Sequence, residues 1–260
     1  MVQGEMESVR QIVLMGLVTW VAGWSAGCAP TGGSAGAATG APSASREVAQ
    51  AGATTEPLAL RYVALGDSYT IGTSIDFEVR WPNQLVDRLG GADPTLRLVA
   101  NLGVNGFTSE DVIASELPRL DALRPDFVTL LIGVNDVVQG VPSTTYRTNA
   151  GRILDELRAR LRADRIVAVG TPDYTVTPQG AAYGDPASQA ASIRTNNGIL
   201  KEVAVARGIT FVDIYDLSLR AATDRSLVAG DGLHPSAMQY AFWVDRIEPV
   251  VATLLGRPPS

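Results

Sequence analysis

The sequence contains very little cysteine and histidine. Its 260 residues include one cysteine, Cys28, and one histidine, His234. A single cysteine cannot form an internal disulfide, so the folded domain has to be stabilised by its hydrophobic core. With 46% hydrophobic residues, the chain is long and apolar enough to form one such core. If the protein uses a histidine base, that base is His234.

The sequence also lacks features that bind phosphate. Its formal net charge is −6 and it has no basic stripe, which argues against a nucleic-acid partner. No glycine-rich loop follows the first predicted strand, which argues against a flavodoxin-like phosphate-binding protein. The pattern G-x-S-x-G occurs at Gly23–Gly27 and Gly32–Gly36. Neither copy follows a strand or begins a helix, so neither is a nucleophile elbow.

The N-terminal segment has the composition of an export signal. Arg10 is followed by an apolar run, 12–24, of the length of a signal-peptide core. The sequence SAGC that ends at Cys28 resembles a bacterial lipobox, which would make Cys28 the lipidation site. We predict a signal peptide over 1–27 and a low-complexity tether over 28–57. Lipidation and ordinary secretion with an incidental cysteine are the two alternatives, and both predict an exported protein.

The remaining segment, 58–257, alternates short apolar runs with longer amphipathic segments. The runs are rich in Val, Ile and Leu, as strands buried on both faces are. This alternation predicts one α/β domain, a doubly wound sheet of about five parallel strands with helices on both faces. The predicted strands are 62–65, 96–100, 127–132, 166–169 and 209–214. The predicted helices are 81–89, 108–116, 145–161, 187–206 and 236–255.

Four short motifs carry the candidate chemistry. Ligands of doubly wound sheets bind at the carboxyl ends of the strands. Three of the motifs directly follow the first three predicted strands, so we expect them to converge on one edge of the sheet. The motifs are GDS at Gly66–Ser68, NLGVNG at Asn101–Gly106, GVND at Gly133–Asp136 and, near the C-terminus, DGLH at Asp231–His234.

These motifs contain the groups that acyl transfer requires: a nucleophile, a base, a group that orients the base, and donors for the oxyanion. Ser68 is the candidate nucleophile and His234 the candidate base. Asp231 lies on the same turn as His234 and could bind Nδ1, leaving Nε2 to face Ser68. The candidate oxyanion donors are the Ser68 amide, the amide of Gly103, which has no Cβ, and the side-chain amide of Asn135.

The same residue types also have purely structural interpretations. A lone serine such as Ser68 is more often a helix N-cap than a nucleophile, and Asp231 before a glycine is typical of a turn. Asp67 and Asp136, beside their motifs, are interpreted as structural hydrogen-bond acceptors. The catalytic interpretation therefore rests on the combination of motifs, because three of them follow predicted strands in order.

In combination, the four motifs resemble blocks I, II, III and V of the SGNH (GDSL-type) hydrolase family, over residues 58–256. The resemblance implies a three-layer, flavodoxin-like α/β fold. The second block departs from the family pattern at Asn105, and the chain lacks the disulfides of many secreted lipase-type relatives. The roles that the resemblance implies are nucleophile for Ser68, oxyanion hole for Ser68, Gly103 and Asn135, and orienting acid and base for Asp231 and His234.

We therefore expect a serine ester hydrolase that acts on small to medium acyl esters and needs no metal or organic cofactor. A carbohydrate O-deacetylase of the same fold is the alternative within enzymes, and a tethered, non-catalytic binding lipoprotein is the alternative from another class. The loop 171–186 follows the fourth predicted strand and is expected to border the pocket. Its Tyr174 and Tyr183 could line the pocket or only pack the loop.

Overall fold

A computed structural model describes residues 59–90 and 95–257 of the chain. Within these ranges the centre of the fold is one parallel five-stranded sheet in the order β2-β1-β3-β4-β5. This confirms the predicted sheet, although its last strand is shorter than the predicted 209–214. The strands are β1 (Leu60–Gly66), β2 (Leu96–Asn101), β3 (Phe127–Leu131), β4 (Ile166–Val169) and β5 (Thr210–Val212).

Helices connect the strands, and several short 3-10 turns lie between them. The longest ones agree with the predicted amphipathic segments to within a few residues. The helices of the described ranges are α1 (Ser68–Ile71), α2 (Trp81–Arg88), α3 (Ser109–Asp111), α4 (Leu120–Leu123), α5 (Val134–Val138), α6 (Ser143–Arg158), α7 (Pro186–Val205), α8 (Tyr215–Ser218) and α9 (Ala237–Leu254).

The alternating side chains of β1 show how the layers form. Tyr62 and Ala64 join one buried cluster with residues of α2 and α9, whereas Val63 and Leu65 join a second cluster with residues of α6 and α7. Successive side chains of a strand point to opposite faces, so both faces of the sheet are covered by helices. This explains the continuous apolar runs in the sequence, because each strand must be hydrophobic on both sides.

Side-chain caps define the starts of two long helices. The Asp185 side chain accepts a hydrogen bond from the Ser188 amide at 2.8 Å, and Pro186 occupies the first position of α7. The Ser236 hydroxyl accepts one from the Gln239 amide at 3.3 Å at the start of α9. Such caps satisfy amides that have no partner inside the helix.

One predicted helix has a different form. The segment 108–116 begins with a capping box between Thr108 and Asp111 and continues as a π-helical turn over Val112–Glu116. A π-turn widens the helix locally and is common near functional sites. Here it ends in Glu116, a buried carboxyl group that lies behind the candidate site.

The order of the strands determines where the motifs meet. Because β1 lies between β2 and β3, the segments after these three strands are neighbours at one edge of the sheet. The order also matches the flavodoxin-like arrangement, whose ligand site lies at the ends of the central strands. The predicted convergence is therefore confirmed for the first three motifs.

Three of the predictions lie outside the described residues: the signal peptide 1–27, the tether 28–57 and the lipidated Cys28. None of the helices in the described ranges is both long and apolar enough to cross a membrane.

Candidate active site

Ser68 begins α1, two residues after the end of β1, and is 7% exposed. The cap of this helix is Asp67, whose side chain accepts a hydrogen bond from the Tyr69 amide at 2.9 Å. The alternative that Ser68 is the N-cap is therefore wrong. Among the described residues, no hydrogen bond engages the Ser68 hydroxyl; the Ser68 carbonyl accepts hydrogen bonds from the Gly72 amide and from the amide and hydroxyl of Thr73.

The sharp turn between β1 and Ser68 requires a glycine. Gly66 has a φ of 148°, a value that side-chain-bearing residues rarely adopt. A Cβ at this position would lie 2.1 Å from the Leu131 carbonyl oxygen and 2.5 Å from the Thr70 hydroxyl. The first residue of the GDS motif thus allows the chain to pass close to β3 and to present Ser68 at the sheet edge.

The structure brings Asp231 and His234 into direct contact. His234 Nδ1 lies 2.6 Å from Asp231 Oδ2, while Asp231 Oδ1 accepts hydrogen bonds from the amides of Leu233 at 2.9 Å and His234 at 3.0 Å. Asp231 therefore both forms the turn and binds the imidazole. With Nδ1 engaged, Nε2 is the ring nitrogen left for a second partner.

The charge of Asp231 is stabilised by its hydrogen bonds. Burial alone would raise the pKa of this carboxyl group, but the bonds from Ser74 and His234 outweigh that effect and hold the pKa well below its usual range. The Ser74 hydroxyl lies 2.7 Å from Asp231 Oδ2. Sequence reasoning missed Ser74, because nothing in the local pattern indicates a contact over 157 positions.

Tyr69, the residue after the candidate nucleophile, packs against the imidazole of His234. The rings of Tyr69 and His234 have centroids 5.2 Å apart, tilted by 54°, and the Tyr240 hydroxyl donates to the Tyr69 carbonyl at 2.8 Å. Because Tyr69 directly follows Ser68 in α1, this packing places His234 at the same end of the sheet as the serine.

Gly103 packs against the backbone of α1. A Cβ at this position would lie 2.7 Å from both the Asp67 carbonyl oxygen and the Ile71 amide, so this close approach requires glycine. The Gly103 amide donates to Asn101 Oδ1 at 3.1 Å, and Asn101 Nδ2 donates to the Thr70 carbonyl at 2.7 Å. An oxyanion bound at Gly103 would share this amide proton with Asn101, a contact that sequence reasoning missed.

Asn135 lies in the first turn of α5, directly after β3. Its Nδ2 donates to the Phe107 carbonyl at 2.9 Å, which orients the side chain. A primary amide carries two N–H groups, and no described residue accepts the second. The half-buried Asn135 side chain can therefore donate to a developing negative charge.

The two acids interpreted as structural do accept hydrogen bonds from the backbone. Asp67 caps α1, and Asp136 accepts from the Ser109 amide at 2.9 Å. Burial raises the pKa of Asp67 to about 7, against the opposing hydrogen bond from the Tyr69 amide. Burial also raises the pKa of Asp136, against its bonds from Ser109. Both carboxyl groups are fully buried behind the site.

The loop 171–186 borders the turn that carries Asp231, since the Gln179 amide donates to the Gly232 carbonyl at 2.9 Å. Its two tyrosines differ in environment. Tyr174 is buried at 2% exposure and meets Tyr183 edge-to-face, whereas Tyr183 is 47% exposed. Tyr174 thus packs the loop, and only Tyr183 is free to meet a large ligand.

In the described segments, no three His, Cys, Asp or Glu side chains lie close enough together to hold a metal ion. The polar groups at the sheet edge are instead a hydroxyl, an imidazole bound to a carboxylate, and amide donors. This is the set that acyl transfer through a serine requires.

The sequence is similar to those of known ester hydrolases. The sequence profile of the GDSL-like Lipase/Acylhydrolase family matches residues 64–242. An arylesterase from Vibrio mimicus is 30% identical over 100 residues, which are 38% of this chain. The match spans 48% of the length of that relative.

Solved structures show the same fold at low sequence identity. A lipase/acylhydrolase from Enterococcus faecalis superposes with a TM-score of 0.61 at 20% identity, over 77% of this chain and 98% of that one. An acetylxylan esterase from Geobacillus stearothermophilus, solved as a catalytic mutant, superposes with a TM-score of 0.58 at 17% identity, over 78% of this chain and 97% of that one. At such identities the likeness concerns the fold.

Proposed function

Because the chain belongs to the GDSL-like lipase/acylhydrolase family, we propose that it is a serine ester hydrolase with Ser68 as nucleophile, His234 as base and Asp231 as the orienting acid. The observation that carries the proposal is the Asp231–His234 contact of 2.6 Å, in a fold whose Ser68 hydroxyl does not serve as a helix cap.

The reaction follows from the position of each group. His234 Nε2 takes the Ser68 proton as the oxygen attacks the ester carbonyl carbon, and Asp231 stabilises the imidazolium that forms. The imidazolium then protonates the leaving alcohol, which leaves an acyl-serine. Water, deprotonated by the same imidazole, releases the acid and restores Ser68. Catalytic hydrogen bonds often tighten only when substrate is bound, so we expect the Ser68–His234 bond to form in that complex.

The oxyanion is held by three neutral donors in this proposal: the Ser68 amide, the Gly103 amide and Asn135 Nδ2. Donors that are already oriented stabilise developing charge without reorganising at the moment of reaction. The bond from Asn135 to the Phe107 carbonyl supports this role, because it orients the side chain and leaves its second N–H for the oxyanion. The single amide proton of Gly103, which is bonded to Asn101, would be shared with the oxyanion.

We propose small to medium acyl esters as substrates. A groove of about 480 Å³ adjoins the site and is lined by Gly103, Val104 and the segment Ile71–Ser74, among others. This is the lower part of the size range typical of small-molecule sites. The groove is open to solvent. It therefore suits a short acyl chain better than a long one, whose apolar length would have to be enclosed.

A carbohydrate O-deacetylase is the second candidate. Its support is the exposed Tyr183 of the loop 171–186, since an aromatic face can stack on a sugar ring. The acetylxylan esterase from Geobacillus stearothermophilus shares the fold, which shows that the fold can carry such an activity but does not assign it to this chain.

Hydrolysis of p-nitrophenyl esters from acetate to long acyl chains, with Ser68→Ala as the matched control, tests the proposal. We expect turnover of the short and medium esters and its loss in the variant. Activity restricted to acetate, together with deacetylation of acetylated xylooligosaccharides, would select the deacetylase. A folded protein without activity on any of these substrates would contradict both and favour a binding role.

We also propose that the domain 58–257 acts outside the cytoplasm, exported by the signal peptide 1–27 and held by the tether 28–57. The sequence around Cys28 supports a lipid anchor at the cell envelope, and secretion without an anchor is the alternative.

A further inference from the structure

Ser74 has a backbone conformation that serine rarely adopts. Its φ is 67°, and in the described part of the chain only one other residue with a side chain, Arg124, has a positive φ. A glycine would adopt this conformation without strain, as Gly72 does two positions earlier with a φ of 72°. A strained residue that persists calls for a function of its side chain.

The Ser74 side chain does make a specific contact. Its hydroxyl donates to Asp231 Oδ2 at 2.7 Å, and the same oxygen accepts from His234 Nδ1 at 2.6 Å. The other hydrogen bonds of Asp231 come from amides of its own turn. Among the described residues, Ser74 is therefore the one hydrogen-bond donor to this carboxylate that lies outside the turn 231–234.

The contact also connects the two halves of the site. Ser74 ends a segment whose backbone is bonded to the Ser68 carbonyl, through the amides of Gly72 at 3.0 Å and Thr73 at 3.2 Å. The hydrogen bond to Asp231 thus joins the segment that carries Ser68 to the turn that carries His234. Removal of the Ser74 hydroxyl would leave Tyr69 packed against the His234 ring but would release the Asp231 carboxylate from the segment that carries Ser68.

We propose that Ser74 is a positioning residue, which holds the Asp231 carboxylate and, through it, the His234 imidazole in line with Ser68. This inference rests on the proposed function, since it concerns the same three residues. Ser74 also lines the groove beside Gly103, so a direct contact with substrate is the competing explanation. The two differ in kinetics, because lost positioning lowers kcat and a lost substrate contact raises KM.

Two variants distinguish the effect of losing the Ser74 hydroxyl from the effect of relieving the backbone strain. Both Ser74→Gly and Ser74→Ala remove the hydroxyl, but only glycine relieves the backbone strain. We expect kcat to fall about tenfold or more in both variants, with KM within about twofold, whereas the melting temperature should be higher for Ser74→Gly than for Ser74→Ala. Ser226→Ala is the matched control, because it removes an exposed serine hydroxyl that donates to Asp224 at 2.6 Å outside the site.

The lone histidine provides a second readout that needs no substrate. Because the chain contains one histidine, proton NMR of the full-length protein should show one imidazole Hδ1 signal, shifted downfield by the bond to Asp231. We expect this signal to move upfield or broaden in both Ser74 variants, to vanish in Asp231→Asn and to stay in place in Ser226→Ala.

The outcomes are distinct. An unchanged Hδ1 signal with kcat within twofold of wild type in both variants would overturn the proposal. A rise in KM alone would also overturn it, in favour of a substrate contact. A loss of kcat in Ser74→Ala but not in Ser74→Gly would overturn it as well, because it would follow the lower stability of the alanine variant and not the loss of the hydroxyl. If the wild-type protein hydrolyses no ester, the proposed function fails, while the NMR signal still decides whether Ser74 positions Asp231 and His234.

Discussion

The Gly66 amide donates a hydrogen bond to Glu116 Oε2 at 3.0 Å, which joins a buried acid to the turn that presents Ser68. Glu116 is 1% exposed, and its Oε1 has no partner among the described residues. Burial raises the pKa of this carboxyl group to about 9, against the opposing bond from Gly66. The group is thus protonated at neutral pH, and the site is supported by a neutral acid.

The first prediction concerns stability at alkaline pH. The folded state holds the Glu116 proton up to about pH 9, whereas the unfolded chain releases it near the ordinary value of 4.5. Between these values the unfolded state binds fewer protons, so the free energy of unfolding falls as pH rises, by at most about 1.4 kcal/mol per pH unit. Glu116→Gln, which is neutral throughout, should lose this decline.

Urea unfolding of wild type and Glu116→Gln between pH 5 and 9 measures the effect. The exposed Glu110→Gln serves as the control and should follow the wild-type curve. Parallel curves for wild type and Glu116→Gln would show that Glu116 does not keep its proton in the folded state.

The second prediction concerns the close approach at Gly103. In Gly103→Ala the new Cβ would meet backbone atoms of Asp67 and Ile71 at 2.7 Å, and these atoms cannot move without shifting α1 and Ser68. We expect a destabilisation of about 1 to 3 kcal/mol and a large loss of kcat. Gly198→Ala is the control, since among the described residues no atom outside its own helix turn lies within 4 Å of its Cβ position. It should stabilise the α7 helix by about 0.5 to 1 kcal/mol and leave kcat unchanged.

The third prediction separates the oxyanion role of Asn135 from loop anchoring. Asn135 Nδ2 donates to the Phe107 carbonyl at 2.9 Å, and Gln139 Nε2 donates to the neighbouring Gly106 carbonyl at 3.1 Å. Only Asn135 is proposed to bind the oxyanion. Asn135→Ala should lower kcat by about 10² to 10³ with little change in KM, and Gln139→Ala should stay within about twofold. Equal losses in both variants would mean that anchoring of the loop is what matters.

The fourth prediction is the pH dependence of activity. A histidine base must be neutral to accept the serine proton, so kcat/KM should rise from acid to neutral pH in a single step. Asp231 stays ionised over this change, because its pKa is held low, and contributes no second step. A rate that is flat from acid to neutral pH would argue against His234 as the base.

The fifth prediction concerns the cellular location. If Cys28 carries a lipid, the full-length protein made in a bacterial host should partition with the membranes, and Cys28→Ala should release it to the soluble fraction. Ser25→Ala, which leaves the cysteine in place, is the control. Identical partitioning of wild type and Cys28→Ala would exclude the anchor.

The sequence by itself determined the architecture and the main candidates for the site. The apolar runs predicted the strands, because a parallel sheet covered on both faces demands continuous hydrophobic residues. Asp231 and His234 could be paired from sequence, since they lie three positions apart on one turn. The GDS motif indicated the position of the nucleophile, because Gly66 and Ser68 both lie directly after one predicted strand.

Only the tertiary structure decided what surrounds these residues. Ser74 and Asp231 are 157 positions apart, and Gly66 and Glu116 are 50 apart, so no local pattern reveals either contact. The bond from Asn101 to the Thr70 carbonyl, over 31 positions, and the π-turn that buries Glu116 depend equally on how the segments pack. Hydrophobic periodicity reports which side of an element is buried. The partners of a buried polar group depend on the packing of distant segments, which exists only in the folded chain.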